Sequence, residues 1–319
     1  MGSASAELIA DRGAAAAANE FFRSTSFHRA EGVTHSLRVR SADRVATMAV
    51  IVRAIDGGGR SDAVSAYGYP GAAVDGNGDA PPAAEVDWSP TGLVSLFARE
   101  RLVGPPLLAD PADRGRVLVH DPRRPRAVRR RLAEQIRQGA RRGYRVETVP
   151  GPASADADRA AFHAAYSETM RAAGAGERYF FDRGYLDSAL SFERSWLLLA
   201  RAASTALAAA AIVAVSDGYL HYFLGGTADA ARGESPFKLV AAAMLDLADE
   251  LAMPLNLGGG LAPGDGLERF KRGFANSAAP FRTHQVVCDR PAYEELAGSR
   301  PAGDFFPAYR APRAGPNAD

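Results

Sequence analysis

The chain has 319 residues, a formal net charge of +1 and one cysteine, Cys288, which excludes a disulfide framework and a cysteine-rich metal site. At roughly 100–200 residues per domain the length favours two domains, and 47% apolar residues is ordinary for a chain that buries real cores. Only two of the 38 lysine and arginine residues are lysines, Lys238 and Lys271; the arginine excess fits a GC-rich genome, and a lysine kept in that background marks a place where a compact ammonium serves better than a planar guanidinium fork.

Residues 1–10 lack a basic segment followed by an apolar run, so no secretory signal is expected. The longest apolar stretch, Ala202 to Val215, is broken by Ser204 and Thr205 and falls short of the ~18 residues of a membrane span. A cytoplasmic protein without a membrane span follows.

An Ala-rich N-terminal segment reads as helix. Strands follow at Thr34 to Arg40, Arg44 to Arg53 and Ala63 to Tyr67, the last two separated by Gly57 to Gly59 in hairpin fashion. Gly71 to Ala84 reads as a polar surface loop. Ser89 and Pro90 read as the cap and first turn of a helix from Thr91 to about Arg101, and Pro105 and Pro106 open a short strand, Leu107 to Ala109. A strand at Arg116 to His120 leads into an arginine-dense helix from about Arg126 to Arg142, within a run of ten arginines from Arg123 to Arg145. Such a run is usually a solvated face; read functionally it is a phosphate-binding surface, since a nearly neutral chain makes this charge local.

After the linker Gly151 to Asp158, a helix carries Phe162, Tyr166, Thr169 and Met170, and an aromatic segment runs from Arg178 to Tyr185. Trp196 to Arg201, Leu207 to Ser216 and Tyr219 to Leu224 form a meander with Asp217-Gly218 as its second turn. Ser235-Pro236 starts a helix running to about Leu251, Pro254 opens a strand through Leu257, and Gly258 to Gly260 end it. The two halves thus repeat one scheme, strands then a Ser-Pro helix then a Pro-led strand, which suggests duplication of a unit of roughly 150 residues.

Lys238 falls in the first turn of the second Ser-Pro helix, where a cation opposes the helix dipole; it is either a tolerated surface lysine or part of an anion site beside free N–H groups. Gly258 and Gly259 at a strand end make a tight turn or let a ligand approach the backbone. In the following short helix Leu267, Phe270 and Phe274 form a stripe at helical spacing, which reads as core, and Lys271 lies beside it, near the glycines. None of the six histidines falls in a convincing catalytic pair, and His221 and His284 read as packed or exposed.

Leu257-Gly258-Gly259-Gly260, an acidic residue at Asp265, then Phe270-Lys271-Arg272-Gly273-Phe274 resembles the C-terminal signature of the Fem-type aminoacyltransferases. Tyr67-Gly68-Tyr69-Pro70-Gly71, Tyr166 to Met170, Arg178 to Phe181 and His221 to Thr227 support the resemblance in order, over about residues 60 to 290. It implies a mixed α/β (α+β) chain of two acetyltransferase-like (GNAT) domains, each a mostly antiparallel twisted sheet flanked by helices. The domains would be residues 1–115, joined by a returning strand at about 281–300, and 116–280, with 301–319 a loose tail. The implied reaction transfers an amino acid from its tRNA ester to an amine, with no cofactor and no metal. Lys271 and Phe270 would hold the ester end as catalytic residues. Tyr67, Tyr69, Tyr166, Thr169, Arg178, Tyr179, Tyr222, Lys238, Gly258, Gly259 and Asp265 would bind substrates, the tyrosines lining an acceptor cleft between the domains, and Arg129, Arg130, Arg137, Arg141 and Arg142 would bind tRNA. A monomer with an aminoacyl-tRNA donor and a small amine acceptor is expected.

The long helical arm of some cell-wall members has no counterpart in the heptad pattern, so a peptide-like or nucleoside natural-product intermediate suits the acceptor role as well as a peptidoglycan precursor. Two other readings stay open. One is a CoA-dependent N-acyltransferase, although Gly226 to Ser235 lacks the Gln/Arg-x-x-Gly-x-Gly/Ala pyrophosphate signature. The other is a noncatalytic RNA-binding module on the same fold.

Overall fold

The computed structural model describes residues 4–55, 59–260, 262, 264–298 and 305–311. Gly57 and Gly58 of the expected hairpin turn and most of the expected tail lie outside them. The chain divides into two compact units: Met1–Ala16, Glu31–Arg114 and Phe281–Asp319 form unit 1, and Ala17–Ala30 with Gly115–Pro280 form unit 2.

In unit 1, β1 (Ala4–Ile9), β2 (His35–Ser41), β3 (Arg44–Ala54) and β4 (Ser61–Ser65) pair antiparallel in sequence. Two short strands lie on this meander, β5 (Ala73–Gly76) against β3 and β6 (Val86–Asp87) against β1. Next, β7 (Leu93–Arg99) joins β4 in parallel, and Thr283 to Val287 of β14 (Ser277–Val287) pair antiparallel with β7. The core gathers Leu37, Met48, Val50, Trp88, Leu96, Leu107 and Leu108.

Several expectations fail here. The N-terminal residues form β1 and then turns: Gly13 N–H donates to Asp11 Oδ1 at 2.8 Å, an Asx turn that competes with helix. Ser89–Thr91 makes only a 3-10 turn that Gly92 ends in the left-handed region at φ +63°; Leu93 to Ala98 then runs as a strand paired on both sides, tertiary pairing overriding helix propensity. Part of the supposed loop Gly71 to Ala84 is β5. Leu107 and Leu108 are buried without belonging to a strand. The supposed loose tail is also anchored where described: Asp62, fully buried, accepts hydrogen bonds from Tyr309 Oη at 3.2 Å and from Arg310 Nε. The expected returning strand at about 281–300 ends at Val287, and the residues after it form α7 (Arg290–Ala297), which packs on β7.

In unit 2 the strand order is β8 (Ala112–His120), β13 (Leu255–Gly258), β12 (Tyr219–Thr227), β11 (Leu207–Ser216), β10 (Ser195–Arg201) and β9 (Arg145–Pro150). All neighbours are antiparallel except β12 and β13. The apolar run that forms β11 is buried along nearly its whole length because α3 (Asp156–Ala172) and α5 (Phe237–Glu250) both pack on it, as a strand covered on both faces requires. Small residues permit this approach: a Cβ at Gly226 would stand 2.6 Å from the Tyr166 backbone. The arginine-dense helix, α2 (Arg130–Arg141), begins later than its charge run; α4 (Arg183–Leu190) is capped by Asp182. α1 (Thr25–Ala30) and the preceding 3-10 turn bring Phe21, Phe22 and Phe27, each at most 1% exposed, into this unit's aromatic cluster.

Both units therefore share one order of strands, a meander followed by a parallel partner, and each meets the expected mixed α/β class. The repeat is real in topology but not where Ser-Pro placed it. Ser61 of β4 corresponds to Tyr219 of β12 and Leu93 of β7 to Leu255 of β13, 158 and 162 positions apart. Between the parallel strands unit 2 inserts α5, whereas unit 1 has only β5, β6 and 3-10 turns among its described residues. No helix of the described residues is long and apolar enough to cross a membrane.

Candidate active site

Two parallel strands of unit 2 open the site. β12 and β13 pair only at Leu220 with Leu255 and His221 with Asn256, and then diverge. Around the opening, Tyr222 of β12, Phe237 at the start of α5 and Phe270 of α6 (Gly266–Arg272) form an aromatic wall, with ring centroids 5.7 and 6.2 Å apart in succession. A Cβ at Gly225 would stand 2.5 Å from Tyr222 Oη and 2.7 Å from the Phe237 ring, so a side chain there would displace this wall.

Lys271 enters this opening from α6. It is only 8% exposed; its ammonium donates to Gly259 O at 2.8 Å and sits 5.5 Å from the Tyr222 ring centroid, a cation–π arrangement. Burial pushes its pKa down from 10.5 to about 8, and Asp265 pulls it partly back. At neutral pH it is therefore a mostly protonated cation held in a largely apolar wall, where charge acts more strongly than in water. Gly258 serves this packing twice: its φ is +77°, and a Cβ would stand 3.0 Å from Lys271 Nζ. The α6 stripe is only partly core, for Phe274 is buried, Phe270 is half-buried and Leu267 is 41% exposed.

The structure brings Phe270, Lys271, Tyr222, Gly258 and Gly259 together, with Asp265 near enough to act on the Lys271 charge. Asp265 caps α6, its Oδ1 accepting from Glu268 N–H at 2.6 Å and its Oδ2 from Ala262 N–H at 3.0 Å. Tyr166 is 2% exposed and donates to Tyr179 O at 2.6 Å. Thr169 Oγ1 accepts from Thr227 N–H at 2.8 Å and donates to Ala165 O at 2.9 Å, stitching α3 to β12. Arg178 lies exposed over the Tyr179 ring at 4.7 Å. Tyr67 and Tyr69 belong to unit 1, in a loop with Gly68 and Gly71 in the left-handed region; Tyr67 N–H donates to Glu31 Oε2 and Tyr69 packs edge-on against Phe281.

Ser235 does not cap α5: it adopts φ +53° and the helix begins after Pro236. Lys238 follows half-buried, its pKa lowered by burial and by the positive charge of Arg131. Arg129, Arg130, Arg131, Arg137, Arg141 and Arg142 are all exposed. Arg137 and Arg141 share Glu134, Arg142 meets Glu234, and Arg129 donates to Arg269 O at 3.5 Å. Among the described residues Arg130 and Arg131 have no acidic partner. No cluster of His, Cys, Asp and Glu among them could hold a metal ion.

Residues 126–272 match the family model of the acetyltransferase (GNAT) domain. That span ends just past Lys271. The match covers most of unit 2, whose strand order and flanking helices are those of a GNAT-like fold. No curated protein matches the sequence significantly. Among solved structures, FemX aligns with 85% of this chain over 93% of its own, at 12% identity and a TM-score of 0.55. The C-terminal domain of a putative lysylphosphatidylglycerol synthetase from Agrobacterium fabrum aligns with 86% of this chain over 89% of its own, at 14% identity and 0.54. For L-PGS from Bacillus licheniformis the coverage is 78% and 82%, at 11% identity and 0.50. At such identities the likeness is one of fold.

Two residues central to the opening do not stand out in the sequence: Phe237, beside the rare Lys238, and Asn256, one polar residue in an apolar strand. The second carried a usable signal, because a buried polar side chain needs partners.

Proposed function

We propose that this chain is an aminoacyltransferase that moves an amino acid from an aminoacyl-tRNA ester to the amine of a small acceptor, a peptide-like or nucleoside intermediate or a peptidoglycan precursor. The carrying observation is the buried Lys271 ammonium at the diverging strands. The amine nitrogen attacks the ester carbonyl, a C–N bond forms, the ester C–O bond breaks, and the proton lost by the amine ends on the ribose hydroxyl. The ester is already activated, so the protein's task is to position the amine and to offset the charge on the carbonyl oxygen. A protonated Lys271 with donors beyond its bond to Gly259 O suits that second task.

Further support is chemical. The exposed arginines of α2, with Arg130 and Arg131 unopposed by acids, suit a phosphate-rich donor. The Agrobacterium fabrum neighbour is named a putative lysylphosphatidylglycerol synthetase, an aminoacyl-bearing product. The CoA reading is less well served: in the segment after β12, Asp229 N–H is bound to Glu168 Oε2, Ala231 N–H to Ala228 O and Ser235 N–H to Arg232 O, so these groups are already engaged rather than presented to a pyrophosphate.

The test is transfer from a panel of radiolabelled aminoacyl-tRNAs to candidate amines, run beside acetyl-CoA. Amide formation abolished by ribonuclease is expected. Transfer from acetyl-CoA alone would replace this reading with the CoA-dependent one.

A further inference from the structure

We infer that Asn256 and His221 are positioning residues that fix the Gly258–Gly259 turn and through it the Lys271 ammonium. The role assigned to Lys271 rests on the proposed aminoacyl transfer; the positioning itself rests on geometry alone.

The chain of bonds starts at His221, which is 2% exposed and whose pKa burial drives down to about 4, so the imidazole is neutral at any physiological pH. Its Nε2 lies 3.1 Å from Ser216 O. A carbonyl only accepts, so Nε2 carries the proton and Nδ1 is the acceptor. Asn256 Nδ2 stands 3.0 Å from that Nδ1 and must donate to it, which turns Asn256 Oδ1 the other way. That oxygen accepts from Gly258 N–H at 2.8 Å. Gly258 is thereby held in the left-handed region, and the next carbonyl, Gly259 O, receives the Lys271 ammonium at 2.8 Å. The orientation of one amide side chain is thus set by a neutral imidazole on the neighbouring strand, at the last paired position before β12 and β13 diverge.

A buried Asn–His pair in a strand could be mere core satisfaction, but its partner is specific. Asn256 Oδ1 is spent on the backbone of the turn that receives Lys271. A purely structural pair would influence stability without changing how Lys271 is held.

Two variants separate these cases. Asn256→Leu keeps the branching and heavy-atom count of the side chain and removes both bonds; Asn256→Asp keeps the acceptor for Gly258 N–H and offers its other oxygen to an imidazole protonated on both nitrogens, so that Nε2 still donates to Ser216 O. Three quantities are read: hydrogen exchange of the Gly258 amide, modification of Lys271 by a lysine-selective acylating reagent, and the single-turnover rate with the donor KM. Because the chain has only two lysines, Lys238 is the internal control. For Asn256→Leu the expected result is at least tenfold faster Gly258 exchange, at least fivefold faster modification of Lys271 with Lys238 unchanged, and a rate at least tenfold lower at a KM within twofold. Asn256→Asp should bring all three back toward wild type. The inference is overturned if a folded Asn256→Leu leaves Gly258 exchange and Lys271 modification unchanged, or if Asn256→Asp behaves like Asn256→Leu. A wild-type protein that transfers nothing from aminoacyl-tRNA would sink the proposed function, while the exchange and modification results would still decide the positioning.

Discussion

Replacing Lys271 with methionine should make the protein more stable and less active. The ammonium is buried at a pKa of about 8 against an ordinary 10.5, which at about 1.36 kcal/mol per tenfold change sets the cost of burying the charge at pH 7 on the order of 3 kcal/mol. Methionine has similar reach and fills irregular apolar space. Gly259 O loses its charged donor, which takes back about 2 kcal/mol. The net is a stabilisation of about 1 kcal/mol at pH 7. Between pH 8 and 10.5 the unfolded wild type binds more protons than the folded one, so wild-type stability rises with pH through that window. The advantage of Lys271→Met should shrink over the same range and vanish above it. Urea unfolding of both proteins at pH 7 and at pH 10.5 measures this, at constant m. A variant less stable than wild type at pH 7, or a difference independent of pH, would refute the reasoning.

Three further outcomes follow. Gly226→Ala forces a Cβ against the Tyr166 backbone at 2.6 Å, which should cost about 3 kcal/mol by overpacking; an unchanged melting temperature would contradict the close packing of α3 on β12. Arg310→Ala leaves fully buried Asp62 with Arg53 and Tyr309, a loss of about 2 kcal/mol once the partial exposure of Arg310 is allowed for; urea unfolding unaffected by this change would show that residues 305–311 do not anchor unit 1. Arg130→Ala with Arg131→Ala should weaken tRNA binding and flatten the slope of log K on log salt by about 1 to 2, measured by filter binding at several salt concentrations. An unaltered slope would remove these two residues from the RNA surface.

Much of unit 2 is legible in the sequence because its signals are local. The Asp217-Gly218 turn, the apolar runs of β10 and β11 and the glycines at the end of β13 each act within a few residues, and Phe270-Lys271 lies close by in the chain. Unit 1 is harder to read. Leu93 to Arg99 contains good helix formers and becomes a strand only because β4 and β14 pair with it from distant parts of the chain. Phe21, Phe22 and Phe27 look like an N-terminal preface, yet they are buried with Phe192 and Phe223, some two hundred residues away. The site shows the same division. Lys271 stood out by rarity and motif, whereas Tyr166 and Thr169 lay in equally suggestive motifs and prove to have their polar atoms bonded within unit 2. Asn256 and His221 are 35 positions apart, and nothing short of the strand register brings them together.

The central claim is that a buried lysine ammonium assists acyl transfer from an RNA-borne ester. The most direct measurement is the single-turnover rate of amide formation from a cognate aminoacyl-tRNA, compared between wild type and Lys271→Met at saturating donor and acceptor. The rate should be lower by about 10²–10³ in the variant, the usual cost of removing one oxyanion donor, with the fold intact. A variant that transfers the amino acid as fast as wild type would contradict that claim.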